Sequence, residues 1–265
     1  MTRIYEDCCH AWIMTQISTH SAIELRPLSK GVAAWLWPAG VVLAVAAGLV
    51  ARGADWSLLV GALAVQTVLS LMVCARGRWR TGRLGLANQV TLARAGLVAV
   101  LAAALIQPDW FRDQAWLMAG LVLTVLLLDG VDGWLARRRS EVSTFGARFD
   151  MEVDAALIAV LSVGLVVTGK VGLWVLAIGL MRYAFVGAAW IWPWLSTPLP
   201  TSFRRKLVCV WQVAALLVCL TPLVGPALAT PVLAVALLAL VVSFSVDVAW
   251  LWRHSAPPEQ QQEVS

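Results

Sequence analysis

Long hydrophobic runs fill most of this 265-residue chain, and polar positions are concentrated in short segments between them. Each of eight runs is long enough to cross the ~30 Å hydrocarbon core of a bilayer as a helix. No polar–apolar alternation of the kind that indicates strands competes with this interpretation. The pattern predicts an all-α fold, a polytopic membrane helix bundle. Its eight predicted transmembrane helices are residues 32–51, 57–75, 86–107, 115–136, 147–168, 171–194, 207–226 and 228–252.

Composition excludes an ordinary soluble domain, because 60% of the residues are hydrophobic and only 13% are charged. The Lys and Arg residues of the short loops lie mostly on one side of the predicted membrane, which by the positive-inside rule is the cytoplasmic side. Both termini are therefore predicted to be cytoplasmic. The net charge of +5 reflects this topology and attraction to anionic membrane lipids rather than binding of nucleic acid.

Four aspartates lie within the fourth and fifth predicted helices, in the pattern Asp-x2-Asp-Gly-x2-Ala-Arg-x8-Gly-x3-Asp-x3-Asp from Asp129 to Asp154. An Asp at the centre of a membrane helix costs roughly 2.5 to 3.5 kcal/mol on insertion scales. A cluster of such residues is therefore a functional-site hypothesis. Asp129 and Asp132 are three residues apart, and Asp150 and Asp154 are four apart, so each pair lies on one helix face.

The two pairs are predicted to meet, because residue 141 lies midway between them in a polar turn that would join two antiparallel helices. At ~1.5 Å per residue, the acids would lie one to three turns in from the cytoplasmic end. Four converging carboxylates cannot all stay ionised without cations. An all-oxygen site suits Mg2+ or Mn2+ bound together with a substrate phosphate.

At these residues the chain resembles the CDP-alcohol phosphotransferase (CDP-alcohol phosphatidyltransferase) family of membrane enzymes that make phospholipid head groups. Every fixed position of the family signature is present. These positions are Asp129, Asp132, Gly133, Ala136, Arg137, Gly146, Asp150 and Asp154. The preceding helix carries Asn88, Thr91 and Arg94, a spacing similar to one often found in the family's first core helix.

The resemblance implies that the four acids hold two divalent ions, and that Asp154 also acts as general base on the acceptor hydroxyl. It implies transfer of a phosphatidyl or substituted phosphate group from a CDP-linked lipid donor to an alcohol, with release of CMP. The cytidine diphosphate part of the donor would be bound by residues beside the acids. These are Gly133, Ala136, Arg137, Gly146, Asn88 and Thr91.

The resemblance also implies a family core at 81–254, preceded by two additional helices at 31–80, and allows a homodimer, which periodicity does not show. Composition and the Lys and Arg bias predict that residues 1–30 are a cytoplasmic arm and that 255–265 are a disordered tail. Neither the alcohol acceptor nor the lipid or head-group nature of the donor is specified by any residue.

Several cationic residues are candidates for binding the phosphate of an acceptor or a lipid head group. They are Arg148, Arg182, Arg204, Arg205 and Lys206. Arg148 and Glu152 are four residues apart, roughly opposite the face of Asp150 and Asp154. They suggest an ion pair that docks against another helix or a second subunit, and a direct part in acceptor recognition is the alternative.

Two other classes of protein must be weighed against a transferase. A divalent-cation transporter or channel would also place acids in membrane helices. The acids here lie in one hairpin near one surface instead of marking a path across the membrane. A noncatalytic membrane scaffold would be favoured by loss of an acid of the signature, and all four are present.

Overall fold

The computed structural model describes residues 32–76, 86–139, 144–197 and 202–254. In these ranges the chain is helical and contains no strand, which confirms the predicted helical membrane bundle. The predicted arm at 1–30, the tail at 255–265 and the turn at 140–143 lie outside the described residues. The helices are α1 Val32–Val50, α2 Trp56–Arg76, α3 Leu86–Ala104, α4 Pro108–Asp113, α5 Ala115–Arg139, α6 Thr144–Val167, α7 Leu176–Ile191, α8 Phe203–Leu220 and α9 Pro226–His254.

Eight of these helices are long and match the eight predicted spans in order, while α4 is a short helix between α3 and α5. The clearest boundary difference is at the end of α8, which was predicted to run to residue 226 and ends at Leu220. The hydropathy of the intervening segment gives no signal of this end. Pro222 cannot continue the helix, and Pro226 begins the next one, where its missing N–H has no cost.

Three of the described helices are long and apolar enough to cross a membrane, at Ala115–Trp134, Leu173–Ile191 and Pro226–Arg253. Shorter apolar stretches occupy α1, α2 and α3. Charged side chains lie in the first half of α6 and in the first turn of α8, which lowers the hydropathy of these parts of the two helices. The strongly apolar helices belong to an integral membrane protein.

Helix α3 is the centre of the bundle, because it packs against α1, α2, α5 and α6. Its apolar face is fully buried, as the side chains of Leu92, Leu97 and Leu101 have at most 1% of their surface exposed. A hydrogen bond of 2.6 Å from Trp37 Nε1 to Gln89 Oε1 also joins α1 to α3. The polar side chains on the remaining face of α3 are therefore held at a fixed position against α5 and α6.

The end of α6 is fixed to the end of α8 by Lys170. Gly169, at φ +71°, adopts the left-handed conformation that closes α6, with Lys170 N–H donating to Leu165 O at 3.1 Å. The Lys170 ammonium then donates to the carbonyls of Cys219, Leu220 and Thr221 at 2.9, 3.2 and 2.6 Å. These carbonyls have no partner within α8, so Lys170 supplies one. The parallel helices α6 and α8 are thereby held in register.

Candidate active site

The four predicted aspartates come together on the face of α5 and α6 that meets α3. Asp129 and Asp132 lie in the second half of α5, and Asp150 and Asp154 lie in the first half of α6. Carboxylate oxygens of Asp129, Asp132 and Asp150 all lie within 4.8 Å of one another. The predicted meeting of the two pairs is therefore confirmed.

Arg94 of α3 is bonded to all four acids. Its Nη1 lies 2.9 Å from Asp132 Oδ2 and also donates to Asp150 Oδ1. Its Nη2 lies 2.9 Å from Asp129 Oδ1 and 2.7 Å from Asp154 Oδ1. With every acid ionised, four negative charges surround one positive charge, so the cluster keeps a net charge of −3. The site attracts further cations.

Burial differs among the acids and separates their environments. The Asp132 side chain is only 5% exposed, and Thr91 Oγ1 donates to its Oδ2 at 3.1 Å. The side chains of Asp150 and Asp154 are 26% and 27% exposed, and that of Asp129 is 38% exposed. Arg94 and Thr91 thus close the inner side of the cluster, and the other three acids face an opening.

The donor set of this site is suited to a hard divalent cation. Carboxylate oxygens are ligands that Mg2+ and Mn2+ prefer, and oxygens of three aspartates lie within 4.8 Å of one another. Mg2+ usually keeps several waters and shares its remaining positions with substrate phosphates. The side chains of Asp129, Asp150 and Asp154 are partly exposed, so such ligands could reach them.

The residues predicted to bind the donor lie on the same three helices. Asn88 is buried in the first turn of α3, at 8% exposure, one turn before Thr91. Gly133 follows Asp132 in α5, and Gly146 lies one turn before Asp150 in α6, both partly buried. Ala136 and Arg137 belong to the last turn of α5, and their side chains lie outside the described part of the structure.

Glu152 pairs with a residue that sequence spacing did not indicate. Arg182 Nη2 of α7 lies 2.7 Å from Glu152 Oε1, with the two side chains 30% and 50% exposed. The sequence suggested Arg148, four residues earlier in α6, as the partner. Because Arg182 is 30 residues away, only the packing of α7 on α6 brings it to Glu152. Arg148 is partly buried.

The basic residues at the start of α8 face the end of α9. Arg204 Nη2 lies 2.6 Å from Asp247 Oδ1, and Arg204 Nη1 donates to Ser243 O at 2.6 Å. Arg205 Nη1 lies 3.7 Å from the same Asp247 oxygen, and Lys206 follows it in the helix. These bonds of Arg204 join α8 to α9.

The sequence pattern predicts no role for Arg94 in the site, although Arg94 follows Asn88 and Thr91 at regular spacing. Its signal was present, because an arginine deep in an apolar helix requires a partner of opposite charge. The acids on α5 and α6 were the available partners. Their identity could not be read from spacing, since even the bonded acid nearest in sequence, Asp129, is 35 residues from Arg94.

Comparison with known families gives one match. The sequence model of CDP-alcohol phosphatidyltransferases matches residues 84–246, which is more than half of the chain and includes α3 and all four acids. No curated protein sequence and no solved structure matches the chain significantly.

Proposed function

Because the chain belongs to the CDP-alcohol phosphatidyltransferase family, we propose that it transfers a phosphatidyl or substituted phosphate group from a CDP-linked donor to an alcohol and releases CMP. The observation that carries this proposal is the convergence of Asp129, Asp132, Asp150 and Asp154 around Arg94. A sequence pattern alone does not require the four acids to meet, whereas a metal-assisted phosphotransferase centre needs its ligands close together.

We assign the four acids to two divalent ions, Mg2+ or Mn2+. The geometry that supports this is the mutual approach of Asp129, Asp132 and Asp150 oxygens within 4.8 Å. Bound there, the ions would neutralise negative charge on the donor diphosphate. The excess of acidic groups over the single charge of Arg94 favours their binding.

Asp154 is proposed as the general base. One of its oxygens accepts from Arg94 Nη2 at 2.7 Å, which fixes the carboxylate, and its side chain is 27% exposed at the open edge of the cluster. In the reaction, Asp154 takes the proton of the acceptor hydroxyl as the alcohol oxygen bonds to the β-phosphorus. The bond from that phosphorus to the bridging oxygen breaks, and CMP leaves with the electron pair.

The cytidine diphosphate is proposed to lie beside the acids on the ends of α3, α5 and α6. The small residues there would allow close approach of the ligand to the backbone, and the arginine would pair with the diphosphate. The residues assigned to this part of the donor are Asn88, Thr91, Gly133, Ala136, Arg137 and Gly146.

Recognition of the acceptor is proposed to use cationic side chains around the opening. Of the candidates, Arg148 is the nearest in sequence to the acids, two residues before Asp150, although helix periodicity places it on another face of α6. The remaining candidates are Arg182, Arg204, Arg205 and Lys206. The bonds of Arg204 to Ser243 and Asp247 favour a structural role for that residue.

Placement in the membrane is proposed from the Lys and Arg bias, with the acids near the cytoplasmic face and both termini cytoplasmic. Residues 31–80, which precede the family match, are proposed as an addition to a core at 81–254. A homodimer is proposed on family grounds alone.

The proposal is tested by CMP release from purified protein in liposomes. Wild type is given CDP-diacylglycerol, Mg2+ or Mn2+, and a panel of alcohols; a second panel uses CDP-linked head groups with diacylglycerol. We expect release with one alcohol and its loss in Asp154→Asn. Asp109→Asn is the matched control, because Asp109 is 91% exposed in the short helix α4. Absence of release across both panels would contradict a transferase and favour the transport or scaffold alternatives.

A further inference from the structure

Arg94 is fully buried and occupies the centre of the acidic cluster. Its two terminal nitrogens divide the acids between them, with Asp132 and Asp150 on Nη1 and Asp129 and Asp154 on Nη2. Burying a guanidinium or a carboxylate without a partner of opposite charge is strongly unfavourable. Arg94 and the four acids therefore depend on each other for their burial.

The bonds from Arg94 end on the same carboxylates that the fold offers to a cation. They reach Oδ1 of Asp129, Asp150 and Asp154 and Oδ2 of Asp132. A divalent ion held by these groups would lie a few ångströms from the guanidinium. At such distances like charges repel, and the repulsion is stronger at a buried site than in water.

We propose that Arg94 is the resident counter-cation of this site. It holds the four acids together in the metal-free protein, and its charge weakens their affinity for divalent ions, so that cation binding is coupled to loosening of the Arg94 bonds. The inference depends on the proposed function in one respect: both take this cluster as the site that binds divalent cations. It concerns cation binding and can be measured without any substrate.

The reason for such an arrangement is physical. Helices α5 and α6 must fold with four acids facing one another, and like charges in contact oppose that packing. Arg94 supplies one positive charge from α3 in a fixed geometry. Its guanidinium is planar, and each of the two terminal nitrogens bonds to two acids. The acids still outnumber the positive charge four to one, which keeps an affinity for divalent ions, while Arg94 limits its strength.

The test measures Mn2+ binding to purified protein in detergent, with free Mn2+ followed by electron paramagnetic resonance, together with Tm in the metal-free state. The variants are Arg94→Met, Arg94→Lys and the matched control Arg112→Met, since Arg112 is an exposed arginine in α4. We expect Arg94→Met to bind Mn2+ about tenfold more tightly than wild type or better, a free-energy change of about 1.4 kcal/mol. Its metal-free Tm falls, and Arg112→Met matches wild type in both measurements.

Unchanged or weaker Mn2+ binding by Arg94→Met overturns the proposal. If that variant does not fold, Arg94→Lys decides, because a lysine keeps the charge but cannot reach all four acids in the same geometry. It should lower the metal-free Tm, and Mn2+ should raise its Tm by more than it raises that of wild type. An equal rise overturns the proposal. Failure of CMP release with these Mn2+ results intact would instead contradict the proposed function alone.

Discussion

Arg182 of α7 lies 2.7 Å from Glu152 of α6, two residues before the proposed base Asp154. The pair connects the helix that carries half of the acids to the neighbouring helix. Because the Arg182 and Glu152 side chains are 30% and 50% exposed, solvent and head groups weaken their attraction, and the pair is expected to fix position more than to add stability.

A double-mutant cycle with Glu152→Gln and Arg182→Gln is predicted to show a coupling of about 0.2 to 1 kcal/mol in thermal or denaturant unfolding. The matched comparison is the ion pair between Asp109 and Arg112 in α4. Its N–O distance is longer, at 3.5 Å, and its side chains are more exposed. Its coupling should be close to zero. A cycle at Glu152 and Arg182 with no coupling would show that their contact does not join α6 to α7 in solution.

Gly179→Ala is predicted to separate α6 from α7. An added Cβ at Gly179 would lie 2.7 Å from Ala159 Cα, and backbone cannot move aside as a side-chain end can. Overpacking of this kind typically costs about 1 to 3 kcal/mol. The control is Gly187→Ala in the same helix, where nothing lies within 4 Å of the added Cβ. Equal Tm values for the two variants would refute this close helix contact.

Lys170→Met is predicted to destabilise the joint between α6 and α8. The substitution keeps the length of the side chain but leaves the carbonyls of Cys219, Leu220 and Thr221 without their shared donor. The free energy of unfolding is expected to fall by about 1 to 2 kcal/mol, which is the contribution of a partly buried cation at a helix C-terminus. Lys170→Arg, which keeps the charge, should recover most of it. Should Tm stay unchanged in the Met variant, these bonds contribute nothing to stability.

Much of the fold could be predicted from hydropathy, because a membrane helix needs a continuous apolar run and most of these runs are separated by polar or charged segments. The end of α8 was missed for the same reason, since the segment to Gly225 remains apolar although Pro222 stops the helix. Helix ends set by backbone constraints leave little trace in hydropathy.

The acids of the site could be predicted because their spacing alone fixes a face on each helix and a matched depth in a hairpin. The partners of the charged groups could not be predicted from local spacing. Arg94, Arg182 and Asp247 each bond to residues at least 30 positions away, and only helix packing selects those partners. Local spacing indicated Arg148 for Glu152, whereas the tertiary structure brings Arg182 to it.

The central claim is that the carboxylates around Arg94 form a cation-dependent phosphotransferase centre. Its most direct test is the initial rate of CMP release with the responsive alcohol, measured before chelation, after chelation, and after Mg2+ or Mn2+ is restored. In wild type and Asp109→Asn, we expect the rate to fall to background on chelation and to recover when the cation is restored. In Asp132→Asn and Asp154→Asn, we expect the rate to stay at background throughout. A rate that survives complete chelation, or one that Asp132→Asn and Asp154→Asn retain, would contradict it.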